Sequence, residues 1–399
     1  MEQKQITLWR PKGFFQWLLT GLSVVLTLLT AMITYAIFHT TNILSVVGFL
    51  GSFALYTPWF LLFLTFFITM LLILALWKKA KIAQFILIPL LLINIFLNVE
   101  PIIEMKNYAK KENVQVSLYS HFFNKTEITS KFTKDIVYGK TTDGVELKLD
   151  MWPANNKLKN THTPAVIKVH GGGWIEGNKA GAPYLNQWFS DLGFTVFDIE
   201  YRMPPQAGWK DEVADVKSAI GWVVEHADTY KIDPEKINVM GDSAGGNLAM
   251  LAAYSMGDKT LPPSVNVPSV PINTVINFYG PSDMTKFFQN NPSPGYVQNV
   301  MEEYIRGTPS QFPDRYQQLS PINYIEEHTP PTIMFLGTSD SLVPTEQAKI
   351  LGKELSKNDV LHEIYYLPKA EHVYDGVPGS LNTQITFEKL KVFLQKYNK

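Results

Sequence analysis

No cysteine occurs in the 399 residues of the chain. That excludes disulfide bonds, thiolate metal sites and a cysteine nucleophile together, and it leaves the redox compartment undetermined. HExxH, Walker-type GxxxxGKS/T and paired-histidine spacings are missing as well, so neither a metal nor a bound cofactor is expected. A charge excess is also lacking: Lys+Arg 35 against Asp+Glu 36 leaves a net charge of -1, which speaks against a nucleic-acid partner and against strong steering of charged ligands. The balance hides local absences. Residues 13–77 and 82–99 contain no Asp, Glu, Lys or Arg.

Those uncharged stretches read as membrane. Residues 14–38 suffice to cross about 30 Å of hydrocarbon, because a helix rises about 1.5 Å per residue. A cleaved signal peptide would have a shorter apolar core, and more apolar sequence follows here. Residues 57–77 supply a second span with Pro58 in its first turn, and residues 82–100 a third, with Pro89 as a kink. Residues 43–57, with Gly48, Gly51 and Ser52, fit an outer loop, an interfacial segment or the start of a tilted helix. Lys4, Arg10 and Lys12 precede the first span, and Lys78, Lys79 and Lys81 follow the second. Cytoplasmic loops carry the Lys/Arg excess, so both flanks are expected in the cytoplasm, with three spans delivering the rest of the chain outside. The absence of intramembrane charge favours an anchor over a transport path. The expected organisation is a multi-pass membrane region over 1–104, a juxtamembrane linker with some helix over 105–132 and a soluble domain over 133–399.

In that domain short β-rich runs alternate with helical patterns. "DIVYG", "VELKLDMW", "AVIKVHG", "TVFDIEY", "INVMGD", "TVINFYG", "TIMFLG" and "HEIYYL" read as strands; residues 211–229, 244–256, 345–357 and 383–397 read as helices. Leu390, Phe393, Leu394 and Tyr397 mark the apolar stripe of the last helix. The alternation predicts an α/β fold with a mainly parallel sheet. Residues 282–331, rich in proline and aromatics, interrupt the rhythm and are expected to form a cap or binding element.

Gly241-Asp242-Ser243-Ala244-Gly245 fits G-x-S-x-G between a strand and a helix, a turn sharp enough to require glycine and to lift a serine hydroxyl above the sheet edge. The helix N-terminus then offers the Ala244 N–H to an oxyanion. His170-Gly171-Gly172-Gly173-Trp174 follows another apolar strand, where side-chain-free backbone can turn its N–H groups to a ligand. Of the eight histidines, His372 in "LPKAEHVYD" lies past the last strand, where a loop can bring it to Ser243. A carboxylate should hold its tautomer. Asp340, after the strand "TIMFLG", suits the Ser…Asp…His order; Asp283, after "NFYG", is the rival.

Together with "DIEYRMPP", "DPEKINVMGDSAGGNLA", "NFYGPSD" and "PPTIMFLGTSDSLVP", these motifs resemble the α/β-hydrolase esterases of the hormone-sensitive-lipase and bacterial acetyl-/feruloyl-esterase-like group, from about Asp135 to the C-terminus. The resemblance implies an α/β-hydrolase fold with an eight-stranded, mostly parallel sheet and a cap. It also implies a triad of Ser243, Asp340 and His372, and oxyanion donors at Gly172, Gly173 and Ala244. Trp174 is expected to touch substrate. The cap helices that the lipase branch carries at its N-terminus are absent, and the multi-span anchor is no part of the family pattern. The expected function is a membrane-anchored serine esterase for short acyl esters on envelope or extracellular glycans or lipids. Amidase, peptidase or acyltransferase chemistry on the same triad, and a catalytically inactive membrane-tethered binding module, are the alternatives.

Overall fold

The structure is a computed structural model that describes residues 10–124, 126–155 and 162–399; Lys4 lies outside the described residues. The described residues open with four helices, α1 (Phe14–Phe38), α2 (Val46–Tyr56), α3 (Pro58–Trp77) and α4 (Lys81–Lys111). Among the described residues, α1, residues Trp59–Trp77 of α3, and α4 are long and apolar enough to cross a membrane. They pack through Ile33, Ile37, Ile68, Leu87 and Leu97. Their outer faces are apolar too, with Phe63, Phe66, Phe85 and Leu92 exposed, and helices apolar all round belong in a core or a bilayer. Two asparagines inside the bundle donate across to neighbouring helices, Asn94 Nδ2 to Thr30 Oγ1 at 3.2 Å and Asn98 Nδ2 to Thr65 Oγ1 at 2.9 Å, as low-dielectric packing favours, while Asn94 Oδ1 has no hydrogen-bond partner.

Two boundaries are decided by local chemistry. The segment left open before Pro58 is a separate helix, α2, capped by Ser45, whose Oγ accepts the Gly48 N–H at 2.9 Å. Its eleven residues are too few to span. The third long helix runs through Pro89 and Pro101 to Lys111, so a stretch expected to be linker is helical and carries the chain directly onto the soluble domain. There Lys389 Nζ meets Glu112 Oε2 at 3.2 Å, and Ser117 N–H donates to Gln384 Oε1 at 2.7 Å. A short helix α5 (Leu118–Phe123) follows; the Phe122 carbonyl accepts the Trp59 indole N–H at 3.0 Å.

Among the described residues eight strands form one sheet: β1 (Thr133–Lys140), β2 (Glu146–Trp152), β3 (Thr163–Val169), β4 (Thr195–Ile199), β5 (Ile232–Asp242), β6 (Thr274–Phe278), β7 (Thr332–Gly337) and β8 (His362–Leu367). Their order is β1-β2-β4-β3-β5-β6-β7-β8. β2 runs antiparallel to its neighbours β1 and β4, and the pairs from β3 onward are parallel. β4, β6 and β7 are buried throughout, the pattern of strands covered on both faces. The cover comes from α6 (Pro183–Asp191), α7 (Asp211–Glu225), α8 (Ala227–Tyr230), α9 (Ala244–Tyr254), then α13 (Glu346–Lys357) and α14 (Leu381–Tyr397). The last buries Leu390, Phe393 and Leu394. A buried ion pair, Lys168 Nζ to Asp198 Oδ2 at 2.9 Å, crosses from β3 to β4. Between β6 and β7, residues 282–331 fold into α10 (Met284–Gln289), α11 (Pro294–Ile305) and α12 (Pro313–Gln318). They rise at the C-terminal ends of the parallel strands, where open α/β sheets bind ligands.

Candidate active site

Ser243 occupies the one-residue turn between β5 and α9 with φ 52° and ψ -121°, a backbone conformation that L-residues other than glycine adopt only under constraint. The constraint is close crossing of backbone. A Cβ on Gly241 would lie 2.0 Å from the Gly245 carbonyl oxygen, and one on Gly245 2.2 Å from that of Val169. The Ser243 N–H donates to the Phe278 carbonyl at 2.8 Å, which pins the turn to the end of β6 and leaves the hydroxyl projecting from the strand ends.

His372 meets it there. Nε2 of His372 lies 2.9 Å from Ser243 Oγ, and Nδ1 lies 2.9 Å and 3.1 Å from the two oxygens of Asp340. Asp340 sits in the loop after β7, where Oδ1 also accepts the N–H groups of Leu342 at 2.9 Å and Val343 at 2.7 Å. A carboxylate held by two backbone donors keeps one orientation, and so fixes the ring it bonds. Burial by itself would lower the basicity of His372, but the neighbouring Asp340 charge and hydrogen bond outweigh it and hold the imidazole above its ordinary value. The rival carboxylate is elsewhere: Asp283 caps α10, accepting the Lys286 N–H at 2.9 Å.

Gly172, Gly173, Trp174, Ser243 and His372 line one cleft. Gly172 and Gly173 take φ values of 121° and 59°. A Cβ on Gly172 would stand 2.0 Å from the Glu176 carbonyl oxygen, so only glycine fits. Ala244 is the first residue of α9, whose early N–H groups have no partner inside the helix. Trp174 is nearly buried, 2% exposed, and stacks on Tyr304 of α11 with ring centroids 5.3 Å apart. It forms a wall of the cleft where the insertion packs down. His170, in the same loop, stacks on Tyr201 at 4.3 Å and directs Nδ1 to the Gly171 carbonyl; burial pushes its pKa down to about 4.

Three acidic groups next to this line escaped sequence reasoning. Asp242 accepts the Gly171 N–H at 3.2 Å, tying the glycine loop to the serine turn; burial, reinforced by the charge of Asp375, pushes it up to about 6. Asp375 accepts the hydroxyls of Tyr279 at 2.5 Å and Tyr184 at 2.9 Å, and Tyr279 packs edge-on against the His372 ring at 4.7 Å. Glu371 takes the Ser341 N–H at 2.9 Å on one oxygen and the Ser52 hydroxyl at 3.0 Å on the other. Burial and the nearby Asp340 charge raise it to about 7. The acidic neighbours of Ser243 and His372 were in plain view in the motifs, but what they touch depends on contacts between distant segments.

Comparison with known proteins places this arrangement. The chain is 30% identical over 259 residues to the probable carboxylic ester hydrolase LipM of Mycobacterium tuberculosis, an alignment that covers 64% of this chain and 59% of LipM. The chain thus spans less than two thirds of that relative's length. It resembles the structure of a thermophilic esterase of Thermogutta terrifontis with propionate bound (27% identity, TM-score 0.54), covering 67% of this chain and 94% of that one. A truncated carbohydrate esterase from gut microbiota superposes with a TM-score of 0.59 at 24% identity, over 69% of this chain and 98% of that one; at that identity the likeness concerns fold alone. The fold is that of an α/β-hydrolase, and with residues 149–355 matching its pattern the chain belongs to the BD-FAE family.

Proposed function

We propose that the chain is a membrane-anchored serine esterase that cleaves carboxylic esters of short acyl chains through an acyl-enzyme. One observation carries the reading: the hydrogen-bonded line from Ser243 Oγ through His372 to Asp340, with contacts of 2.9 Å at each end of the imidazole. The names of the relatives, carboxylic ester hydrolase and esterase, point the same way.

In this mechanism His372 Nε2 takes the Ser243 proton as Oγ attacks the ester carbonyl, and the oxygen of the tetrahedral intermediate turns to the N–H groups of Gly172, Gly173 and Ala244. Collapse breaks the bond to the alcohol, which leaves with the proton from His372. Water then gives a proton to His372, attacks the acyl-serine and releases the acid, and the proton returns to Ser243. Asp340 holds the ring and stabilises the imidazolium that forms. General base catalysis of this kind contributes about 10²–10⁴ in rate, and each oxyanion donor about 10²–10³.

Arg10 and Lys12 before α1, and Lys78 and Lys79 between α3 and α4 with Lys81 opening α4, support a cytoplasmic location for those flanks and an extracytoplasmic one for the catalytic domain. Hydrolysis of p-nitrophenyl acetate by the purified full chain tests the chemistry. The wild type should turn the ester over, and Ser243→Ala should fall to the background rate with its melting temperature kept. Equal rates for the two proteins would refute the reading.

A further inference from the structure

The loop and helix between α1 and α3 reach the catalytic line itself. Ile43 N–H donates to Ser293 Oγ at 3.0 Å, and that hydroxyl donates to the Ser341 carbonyl at 2.7 Å, one residue past Asp340. Nine residues further, Ser52 donates to Glu371, the residue before His372. Lys369 lies 4.2 Å above the ring of Phe38, the last residue of α1. The loops that carry Asp340 and His372 are therefore docked on the end of the apolar bundle, at the level where α1 leaves its hydrophobic length.

Around that contact the surface is apolar. α2 packs Gly48, Gly51 and Ala54 inward, so tightly that a Cβ on Gly51 would lie 2.2 Å from that of Ala36. Its other face shows Val46 and Phe49, 69% and 62% exposed, and Phe53. No charged residue interrupts this face, and it is continuous with the exposed flanks of the long helices. An apolar helix face of this kind beside membrane spans lies in the bilayer interface. Val373, next to His372, is 43% exposed and lines the cleft of Ser243. The other wall of that cleft is α11, whose cap Ser293 is the residue bonded to Ile43.

We infer that the substrate is an ester of a membrane-anchored alcohol, which slides along the face of α2 at the bilayer surface and presents its acyl group sideways to Ser243. The inference rests on the esterase reading above and narrows its substrate class. The acyl group enters the cleft walled by Trp174 and α11, and the lipid tail of the alcohol stays in the bilayer beside Phe49.

The test uses the full chain in phosphatidylcholine–phosphatidylglycerol vesicles with hexadecyl acetate in the same bilayer and p-nitrophenyl acetate as the soluble comparison. Hydrolysis of hexadecyl acetate should follow its mole fraction in the bilayer rather than its bulk concentration. Phe49→Asp should lower that rate about tenfold or more, the scale of losing one aromatic from an apolar contact, while p-nitrophenyl acetate turns over unchanged. Should Phe49→Asp lose both activities through misfolding, Phe49→Ser and the wild-type dilution series decide. Soluble turnover without hexadecyl acetate cleavage, or a rate indifferent to bilayer mole fraction, overturns the inference and leaves the esterase reading standing; no turnover of p-nitrophenyl acetate strikes the esterase reading. If a second copy covers this face instead, Phe49→Cys in the otherwise cysteine-free chain will crosslink between protomers on oxidation, and that result also overturns the inference.

Discussion

At the residue scale the account turns on one imidazole. His372 must be neutral at Nε2 to accept the serine proton, and its basicity is set by opposed effects: burial lowers it, while Asp340, backed by Glu371, raises it. Activity therefore rises with pH as His372 loses its proton, and the rise is centred above the ordinary histidine value. Asp340→Asn removes the larger of the raising charges and leaves burial in place. The acid limb of kcat/KM should then move to lower pH, while the plateau falls by on the order of 10³–10⁴ through loss of the tautomer that Asp340 holds. A pH–rate profile of the two proteins measures both; a limb that stays put would mean that another group controls it. Ser243 and Gly172 could be read from their motifs because glycine spacing is local. His372 emerged by elimination and Asp340 by chain order. Glu371 could not be read, because its partner Ser52 is 319 positions away and no pattern near either residue announces the contact.

At the element scale the serine turn depends on close approach of β3, β5 and α9. Gly245 is where the helix passes over the end of β3, with the carbonyls of Val169 and His170 at 2.2 Å and 2.4 Å from any Cβ placed there. Both obstacles are backbone, so they cannot swing aside as a side chain would. Gly245→Ala is expected to destabilise the fold by about 1–3 kcal/mol, the usual size of overpacking, and to displace the serine turn. Gly21→Ala, where nothing stands within 4 Å, is the control and should leave the thermal melt in place. The strands were legible because fully buried runs such as "TVINF" and "TIMFLG" are short, apolar and bounded by turn residues. α6 was not, because its inward face carries Asn186, Gln187 and Ser190. Asn186 donates to Asp198 at 2.6 Å, and Gln187 accepts from the N–H groups of Thr129 and Ser130, so polar pairing is interleaved with the buried Leu185 and Phe189 and blurs the apolar stripe that marks a helix. The helices inside 282–331 are short, six, twelve and six residues, and the last two start on Pro294 and Pro313, which hid them within what read as an irregular insertion.

At the scale of the whole molecule an apolar bundle and an α/β-hydrolase meet through the loops that carry the candidate triad. The absence of cysteine allows orientation to be measured one position at a time. Lys357→Cys, on a side chain 68% exposed at the end of α13, should react with a membrane-impermeant maleimide in intact cells. Lys79→Cys, between α3 and α4, should react only after permeabilisation; the reverse pattern would place the catalytic domain in the cytoplasm. The long apolar helices were legible from uncharged length, whereas the docking of α2 on the hydrolase is a tertiary event that composition does not encode. The claim on which all of this depends, that Ser243 is an activated nucleophile, is tested most directly by a fluorophosphonate reagent followed by peptide mapping. The account predicts one adduct, on the Ser243 hydroxyl, lost in Ser243→Ala and greatly slowed in His372→Ala. A folded wild-type protein that takes up no reagent, or takes it up at another residue, would contradict it.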